Sequence, residues 1–333
     1  MARKALGPAA QEVVGAIDRA VDAPMLVACS GGADSTALAL GAAVVGDRRG
    51  LGVRALIVDH GLQDGSAEVA QATVGRLGAR GIVAGVVRVQ VTVAGDGVEA
   101  AARRARQEAL AAARRDDECL LLGHTLDDQA ETVLLGLARG SGARSLAGMR
   151  PRSGAVVRPL LGLRATTTRQ ACCEWGVEWW DDPHNGDVQF ARVRVRNTVL
   201  PVLEAQLGPG VAQALARCAD LIRDDADLLD AQAGEALASQ GPLDSIVTSP
   251  DATANDAPSP QALDASWLAR LPPALRTRVL RDWLRALGSD PMAIHIRAVD
   301  ALVTRWHGQR WVDVPGLQIA RRDNRLVSRQ GCL

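Results

Sequence analysis

The sequence predicts an α/β fold, a doubly wound parallel sheet followed by a smaller, mainly helical C-terminal domain that ends in a β-hairpin. Three observations predict it. Short apolar runs alternate with stretches of helical length from residue 9 to residue 139, the pattern of right-handed βαβ units. The first run, Met25 to Cys29, is apolar throughout rather than alternating, as a strand buried on both faces must be. Polar residues (Ser30, Asp59, His60 and His124) fall at the ends of those runs, where ligands of open parallel sheets sit.

The elements follow in order. Residues 9–21 read as a lead-in helix. Met25 to Cys29 is too short for a helix and is bounded by turn residues, so it reads as a buried strand. Ser30-Gly31-Gly32-Ala33-Asp34-Ser35 follows at once, and Thr36 to Val45 is helical. A strand that breaks into glycines and opens a helix is a phosphate cradle: the backbone can approach the anion, and the helix N-terminus adds its dipole. Ser30 and Ser35 can donate hydroxyl hydrogen bonds. Asp34 would repel a phosphate, which suggests Mg²⁺ between the two. The alternative is a turn in which Asp34 or Ser35 caps the helix. The lysine-bearing phosphate loop, G-x-x-x-x-G-K-[ST], is absent.

Val53 to His60 is the second strand, and its closing Asp59 and His60 are candidate nucleotide contacts or an ordinary turn. Ser66 to Arg80 is a helix, Ile82 to Val91 a strand, and Val98 to Arg115 an Ala-rich helix. On that helix Glu99, Arg103 and Arg106 are neighbours, and substrate contact and solvated face stand equally open. Cys119 to His124 is the fourth strand. Thr125 to Arg139 is a helix on which Asp127, Asp128 and Glu131 share a face at spacings of three and four. With His124 beside them, these acids could hold Mg²⁺, or bind an ammonium group and help deprotonate it. The bland alternative is that they complement the helix dipole.

From Thr132 to Cys173 there are seven arginines, Arg139, Arg144 and Arg158 among them, and no acid. Arg192, Arg194 and Arg196 follow on a predicted helix, 189–207. Unopposed arginines favour a polyanion patch over a solvated face. Lys+Arg equals Asp+Glu at 38 each, so any nucleic-acid site must be local. Residues 211–238 read as an amphipathic helix, 241–261 as a flexible linker, and 262–287 and 291–305 as helices. Trp311 to Arg329 reads as a hairpin turning near Asp323-Asn324. The expected domains are 1–208 and 209–333. The scattered cysteines form no C-x-x-C and read as reduced core residues, no run approaches membrane-spanning length, and the expected location is the cytoplasm.

The string S-G-G-x-D-S resembles the pyrophosphate loop (PP-loop) of the N-type ATP pyrophosphatases. The order of the motifs resembles the tRNA(Ile)-lysidine synthase family in a short form: Ser30 to Ser35, Asp59-His-Gly-Leu, Glu99 with Arg103 and Arg106, Gly123-His-x-x-Asp-Asp-Gln-Ala-Glu-Thr132, Arg158-Pro-Leu-Leu, Asp182-Pro-x-Asn185 and the helix of Arg192, Arg194 and Arg196. Gln63 and Val193 depart from the family pattern.

The resemblance implies a ligase that forms a carbon–nitrogen bond. ATP adenylates the wobble cytidine of the CAU-anticodon isoleucine tRNA, L-lysine replaces the adenylate at C2, and pyrophosphate and AMP leave. It implies catalytic roles for Asp34, His124, Asp127, Asp128 and Glu131, with Mg²⁺ at Asp34. Ser30, Gly31, Gly32, Ala33, Ser35, Asp59 and His60 would bind ATP. Glu99, Arg103, Arg106, Thr132, Arg139, Arg144, Arg158, Arg192, Arg194 and Arg196 would meet lysine or tRNA. The C-terminal domain would help hold the tRNA, and a homodimer is compatible. The readings it competes with are a tRNA thiolase of the same ATP family, whose paired C-x-x-C cysteines are missing here, and a non-catalytic nucleotide- or tRNA-binding protein.

Overall fold

Each apolar run in the first half of the chain forms a strand, and each stretch between them a helix. The computed structural model describes residues 6–61, 65–92, 97–140, 142–182, 186–240 and 262–331. The expectations for Gln63, the side chain of Glu99, the Pro183–Asn185 end of its motif, and the linker 241–261 lie outside the described residues. The chain divides into two compact units, Met1–Ile222 and Arg223–Leu333.

The first unit opens with α1 (Pro8–Ala20), β1 (Met25–Ala28), α2 (Ala33–Arg49), β2 (Val53–Asp59), α3 (Ser66–Gly78), β3 (Val83–Arg88), α4 (Val98–Ala113), β4 (Cys119–Leu122) and α5 (Leu126–Ala138). The sequence pattern places nothing between residues 140 and 188, where arginines and glycines break any period. The structure has α6 (Ala143–Leu146), β5 (Arg152–Ser153), β6 (Val156–Val157), a 3-10 turn (Pro159–Gly162) and α7 (Ala165–Trp175) there.

The single helix expected over 189–207 is three pieces: α8 (Ala191–Arg194), a π turn (Val195–Val199) and α9 (Leu200–Leu207). Pro201 explains the break, because it has no N–H for the i→i−4 ladder. The Leu200 N–H bonds five residues back, to the Val195 carbonyl. Then comes α10 (Val211–Ala238).

The sheet order is β3-β2-β1-β4-β6-β5, parallel except for β5 against β6. Met25 pairs with Val53 on one side and Cys119 on the other, so β1 lies at the centre, buried on both faces as a continuous apolar run requires. Val13, Ile17, Leu38 and Leu160 pack on one face; Leu26, Leu110 and Leu120 form a smaller cluster. The strand order reverses between β1 and β4, the position where open α/β sheets bind ligands.

The second unit contains β7 (Leu263–Asp264), α11 (Ala265–Arg270), α12 (Pro273–Ala286), α13 (Ala293–Thr304), β8 (Val312–Val314), β9 (Leu317–Arg322) and β10 (Arg325–Gln330). Its antiparallel sheet runs β7-β10-β9-β8. The hairpin turns at Asp323 and Asn324, both in the left-handed region at φ 46° and 63°, the two-residue turn that matches strand twist. Residues 262–287 are not one helical pattern: Leu263 and Asp264 join the sheet, and Pro272-Pro273 separates α11 from α12. Trp283, Leu268, Leu280, Val299 and Ile319 form the core.

The five described cysteines are free; Cys29, Cys119 and Cys172 are buried as expected, but Cys173 and Cys218 are exposed. Among the described residues no helix is long and apolar enough to cross a membrane.

Candidate active site

The carboxyl ends of β1 and β4 carry the site. After β1, Gly31 takes φ +88° and Gly32 is extended as the N-cap of α2. An Ala at 31 would be strained, and its Cβ would lie 2.5 Å from Thr73 Oγ1. No side chain caps α2, so its first N–H groups remain available to an anion. Neither Asp34 nor Ser35 caps the helix. The Ser35 hydroxyl turns back into the loop, accepting from the Ser30 N–H at 3.1 Å, donating to the Gly32 carbonyl at 3.1 Å and lying 3.2 Å from Ser30 Oγ. Gly123, at the end of β4, packs on this loop so closely that a Cβ there would sit 3.1 Å from Ser35 N and Cα.

Asp34 lies in the first turn of α2 and accepts a hydrogen bond from Thr168 Oγ1 of α7. Burial pushes its pKa up to about 6; the Thr168 hydroxyl opposes the shift and Asp128 adds to it. Among the described residues no group of three or more His, Cys, Asp or Glu is placed to hold a metal ion. One carboxylate beside a phosphate cradle still fits Mg²⁺, which keeps waters and takes phosphate oxygens rather than needing a protein cage.

His124 is neutral at physiological pH. Its pKa is lowered to about 4, chiefly by burial; Asp128 opposes the shift, and Arg158, Arg192 and Arg106 contribute to it. Its Nδ1 and that of His60 are buried without a hydrogen-bond partner. His60 is also lowered, by burial and then by Arg106. Asp59 Oδ1 accepts from the Gly61 N–H at 2.9 Å, so this acid shapes the turn that presents His60.

The three acids of α5 separate into distinct jobs. Asp127 leaves the shared face: its Oδ2 accepts from the Ala165 N–H at 2.7 Å, and its Oδ1 pairs with Arg164 at 2.9 Å. Asp128 Oδ2 accepts from the Thr125 N–H and hydroxyl at 2.8 and 3.0 Å, a capping box at the start of α5. Its Oδ1 faces Arg192 at 3.2 Å and Arg196 at 3.1 Å. Glu131 is fully buried and accepts from Arg192 Nε at 2.7 Å and Arg196 Nε at 2.6 Å. Thr132 Oγ1 bonds back to the Asp128 carbonyl.

Arg192 and Arg196 therefore do not belong to an unopposed patch; they close on the acids. Arg194 is exposed and donates to the carbonyls of Val188 and Gln189. Arg139 and Arg144 are exposed. The run 132–173 also finds counter-charges, Arg152 with Asp22 and Arg164 with Asp127. A different cationic group forms near His124. Arg106 has its pKa lowered by burial, Arg103 and Arg192, and Arg158 by burial and Arg103. Guanidiniums within electrostatic reach of one another are unfavourable until an anion enters.

Beside Glu131 lies a cleft of about 200 Å³, walled by Asp127, Glu204, Arg164 and Arg196 over Leu200 and Pro201. Thr168, Arg164 and Glu204 are contributions that the sequence pattern did not single out. Each acts through a partner dozens of residues away or across a loop, so no local spacing marks it.

A family model described as the PP-loop domain matches residues 8–203, and one described as the TilS substrate binding domain matches residues 263–327. A tRNA(Ile)-lysidine synthase of Thermobifida fusca is 49% identical over 91% of this chain and 90% of its own length. The chain belongs to the tRNA(Ile)-lysidine synthase family. Family members from Leifsonia xyli and Salinispora arenicola are 48% and 46% identical, over 91% and 98% of this chain and 89% and 98% of theirs. Among solved structures, a U34-tRNA thiolase of Methanococcus maripaludis with its [4Fe-4S] cluster has a TM-score of 0.51 at 16% identity, covering 65% of this chain and 80% of that one. That likeness shows that the lysidine synthase family shares the PP-loop fold with it, and no more.

Proposed function

We propose that this chain ligates L-lysine to C2 of the wobble cytidine of the CAU-anticodon isoleucine tRNA at the expense of ATP. The observation that carries the reading is the meeting, at adjacent strand ends, of an uncapped phosphate loop and a cluster of carboxylates. A phosphate site alone gains nothing from acids; an amine substrate beside a triphosphate needs both.

In this reading Ser30 to Ser35 hold the phosphates and Asp34 holds Mg²⁺, which would offset charge on the phosphate oxygens. Asp59 and His60 meet the nucleotide. The cytidine C2 oxygen attacks the α-phosphorus and pyrophosphate leaves. The lysine ε-amine, deprotonated beside the α5 acids, then attacks C2 and AMP leaves with that oxygen. Neutral His124 is a hydrogen-bonding group at this centre rather than a cation. Arg103, Arg106 and Arg158 meet anionic tRNA or nucleotide, with Glu99 and Thr132 on the same substrates. Residues 209–333 assist tRNA binding. We place the enzyme in the cytoplasm as a homodimer, for which the exposed Val199, Val202 and Leu207 offer apolar surface.

The test of this order uses pyrophosphate and AMP as separate readouts. Pyrophosphate should appear on adding ATP, Mg²⁺ and the CAU tRNA without lysine; AMP should appear only when lysine follows. Simultaneous release that requires lysine would refute the adenylate-first order.

Exposed and half-buried arginines should also behave differently. Replacing Arg144 by Ala should lower the slope of log K for tRNA against log salt by about 0.7–0.9, the counterions released per phosphate contact. Cognate and non-cognate tRNAs should be weakened alike, since phosphate contacts position without specifying. An unchanged slope would remove Arg144 from the tRNA face. Arg192→Ala should impair the chemistry more than the salt slope, because its guanidinium serves Glu131.

A further inference from the structure

The first turn of α7 stands between the phosphate loop and the acid-bearing helix α5. On one side it is stitched to the start of α5. The Leu126 N–H donates to the Leu163 carbonyl at 2.8 Å, the Ala165 N–H donates to Asp127 Oδ2 at 2.7 Å, and Arg164 pairs with Asp127 Oδ1 at 2.9 Å. On the other side it faces the start of α2. Thr168 Oγ1 donates to Asp34 Oδ1, and one helical turn further on Cys172 Sγ donates to the Ala33 carbonyl at 3.5 Å. Thr168 and Cys172 are both fully buried, and at a spacing of four they share one face of α7. Thr166 is exposed and Thr167 half-buried, so Thr168 is the one of three consecutive threonines that is packed inside.

The Thr168 hydroxyl has a single proton and two acceptors in reach, Asp34 Oδ1 and, at 2.8 Å, the Ala165 carbonyl of its own turn. The ionised carboxylate takes that proton, because a charge-assisted hydrogen bond is the stronger. The bond engages Oδ1 and leaves Oδ2 to a metal. A β-branched threonine has few χ1 choices on a helix, so its hydroxyl stays where α7 puts it. An Asp34 side chain without this partner would turn about two bonds, and a metal would have to order it at an entropic cost.

We infer that Thr168 and Asp127 are positioning residues of the ATP half-reaction: Asp127 fixes the first turn of α7, and Thr168 of that turn aims the Asp34 carboxylate. This rests on the reading that Asp34 holds Mg²⁺. Asp127 shares α5 with Asp128 and Glu131, yet both of its oxygens are taken up by α7, so it serves the phosphate loop rather than the amine. The links Asp127–Ala165 and Thr168–Asp34 join residues 38 and 134 apart in the chain. Through them α5 and the phosphate loop keep one fixed relation.

The experiment measures ATP binding by equilibrium dialysis without tRNA or lysine, once in Mg²⁺ and once in EDTA, beside pyrophosphate release with the CAU tRNA. Thr168→Val keeps the shape of the side chain and removes the hydroxyl. It should weaken ATP binding in Mg²⁺ by about 10-fold or more, the effect of one lost hydrogen bond to a charged group. The Mg²⁺ concentration for half-maximal pyrophosphate release should rise by a similar factor. Binding in EDTA should be unchanged, because the N–H groups of the loop are intact. Thr168→Ser keeps the hydroxyl and should recover most of both losses. Asp127→Ala should reproduce the Mg²⁺-dependent loss and add little to Thr168→Val, as expected for two links of one chain. Asp127→Asn still accepts from the Ala165 N–H but offers no charge to a metal or an amine, and it should recover part of the loss.

An unaltered Mg²⁺ response in a folded Thr168→Val protein would overturn the inference. So would equal losses in Mg²⁺ and EDTA, or a Thr168→Ser protein as impaired as Thr168→Val, either of which would mark Thr168 as packing alone. If Thr168→Val does not fold, the Asp127 pair decides: equal losses in Asp127→Ala and Asp127→Asn would place a needed charge there and refute the positioning role. If Asp34→Asn binds ATP in Mg²⁺ as tightly as the unaltered protein, the metal reading of Asp34 fails and the inference falls with it. If the unaltered protein binds ATP in Mg²⁺ but releases no pyrophosphate with the tRNA, the proposed function fails, and the binding comparison still decides the inference.

Discussion

Replacing Asp34 by Asn is expected to cut pyrophosphate release by at least about 10²- to 10³-fold while stabilising the ligand-free fold at pH 8. The two effects share one cause. Asp34 is a half-buried carboxylate whose pKa is pushed up to about 6, so its charged form is tolerated rather than favoured. A raised folded-state pKa means that the fold carries no penalty below the ordinary value of 3.8 and the full penalty above about 6. Asn can still accept from Thr168 Oγ1 but carries no charge. The gain at pH 8 should be on the order of 1–3 kcal/mol and should vanish below about pH 4. Melting curves in EDTA at pH 4 and pH 8 measure it. A site acid that costs stability and supports turnover is what a strained functional position should look like. Near-normal turnover by the folded Asn variant would remove Asp34 from the chemistry.

The second large effect is expected at Glu131. Glu131→Gln should lower kcat/KM for lysine about 10- to 100-fold and destabilise the protein by on the order of 1–3 kcal/mol, while lysine-independent pyrophosphate release persists. The fold loses a fully buried carboxylate that binds two guanidiniums. Arg192 and Arg196 then face Asp128 alone. Because the arginines are 32% and 40% exposed, water screens part of the loss. The rival reading, a helix-dipole complement, does not reach this residue: α5 begins at Leu126, and dipole effects fade beyond the first turn. Asp128 is the residue to which that reading partly applies, through its capping box with Thr125. If Glu131→Gln lowers both half-reactions equally, its ion pairs are a structural clamp and lysine recognition lies elsewhere.

The parallel sheet was legible because its inner strands are buried on both faces, which forces near-continuous apolar runs such as Met25 to Cys29. The phosphate loop was legible because glycine backbone and helix start are adjacent in the chain. The pairing of the acids was not. Glu131 and Asp128 meet arginines some sixty residues on, and local spacing carries no trace of that. The same blindness made the run from 132 to 173 look unopposed, since Arg152 finds Asp22 and Arg164 finds Asp127 only after folding. Thr168 was invisible for a related reason: one Thr in Thr166-Thr167-Thr168 faces Asp34, and only the helix packing says which. The π turn was predictable in principle from Pro201, which could not continue the ladder of one long helix.

The modified nucleoside is the product of the reaction, and mass analysis of nucleosides detects it most directly. The CAU-anticodon isoleucine tRNA is incubated with the protein, ATP, Mg²⁺ and L-lysine, digested to nucleosides and weighed. One cytidine per tRNA should be replaced by a nucleoside heavier by one lysine less one water, and only when all components are present. Unchanged cytidine from a folded protein, or a cytidine in which sulfur has replaced oxygen, would contradict it.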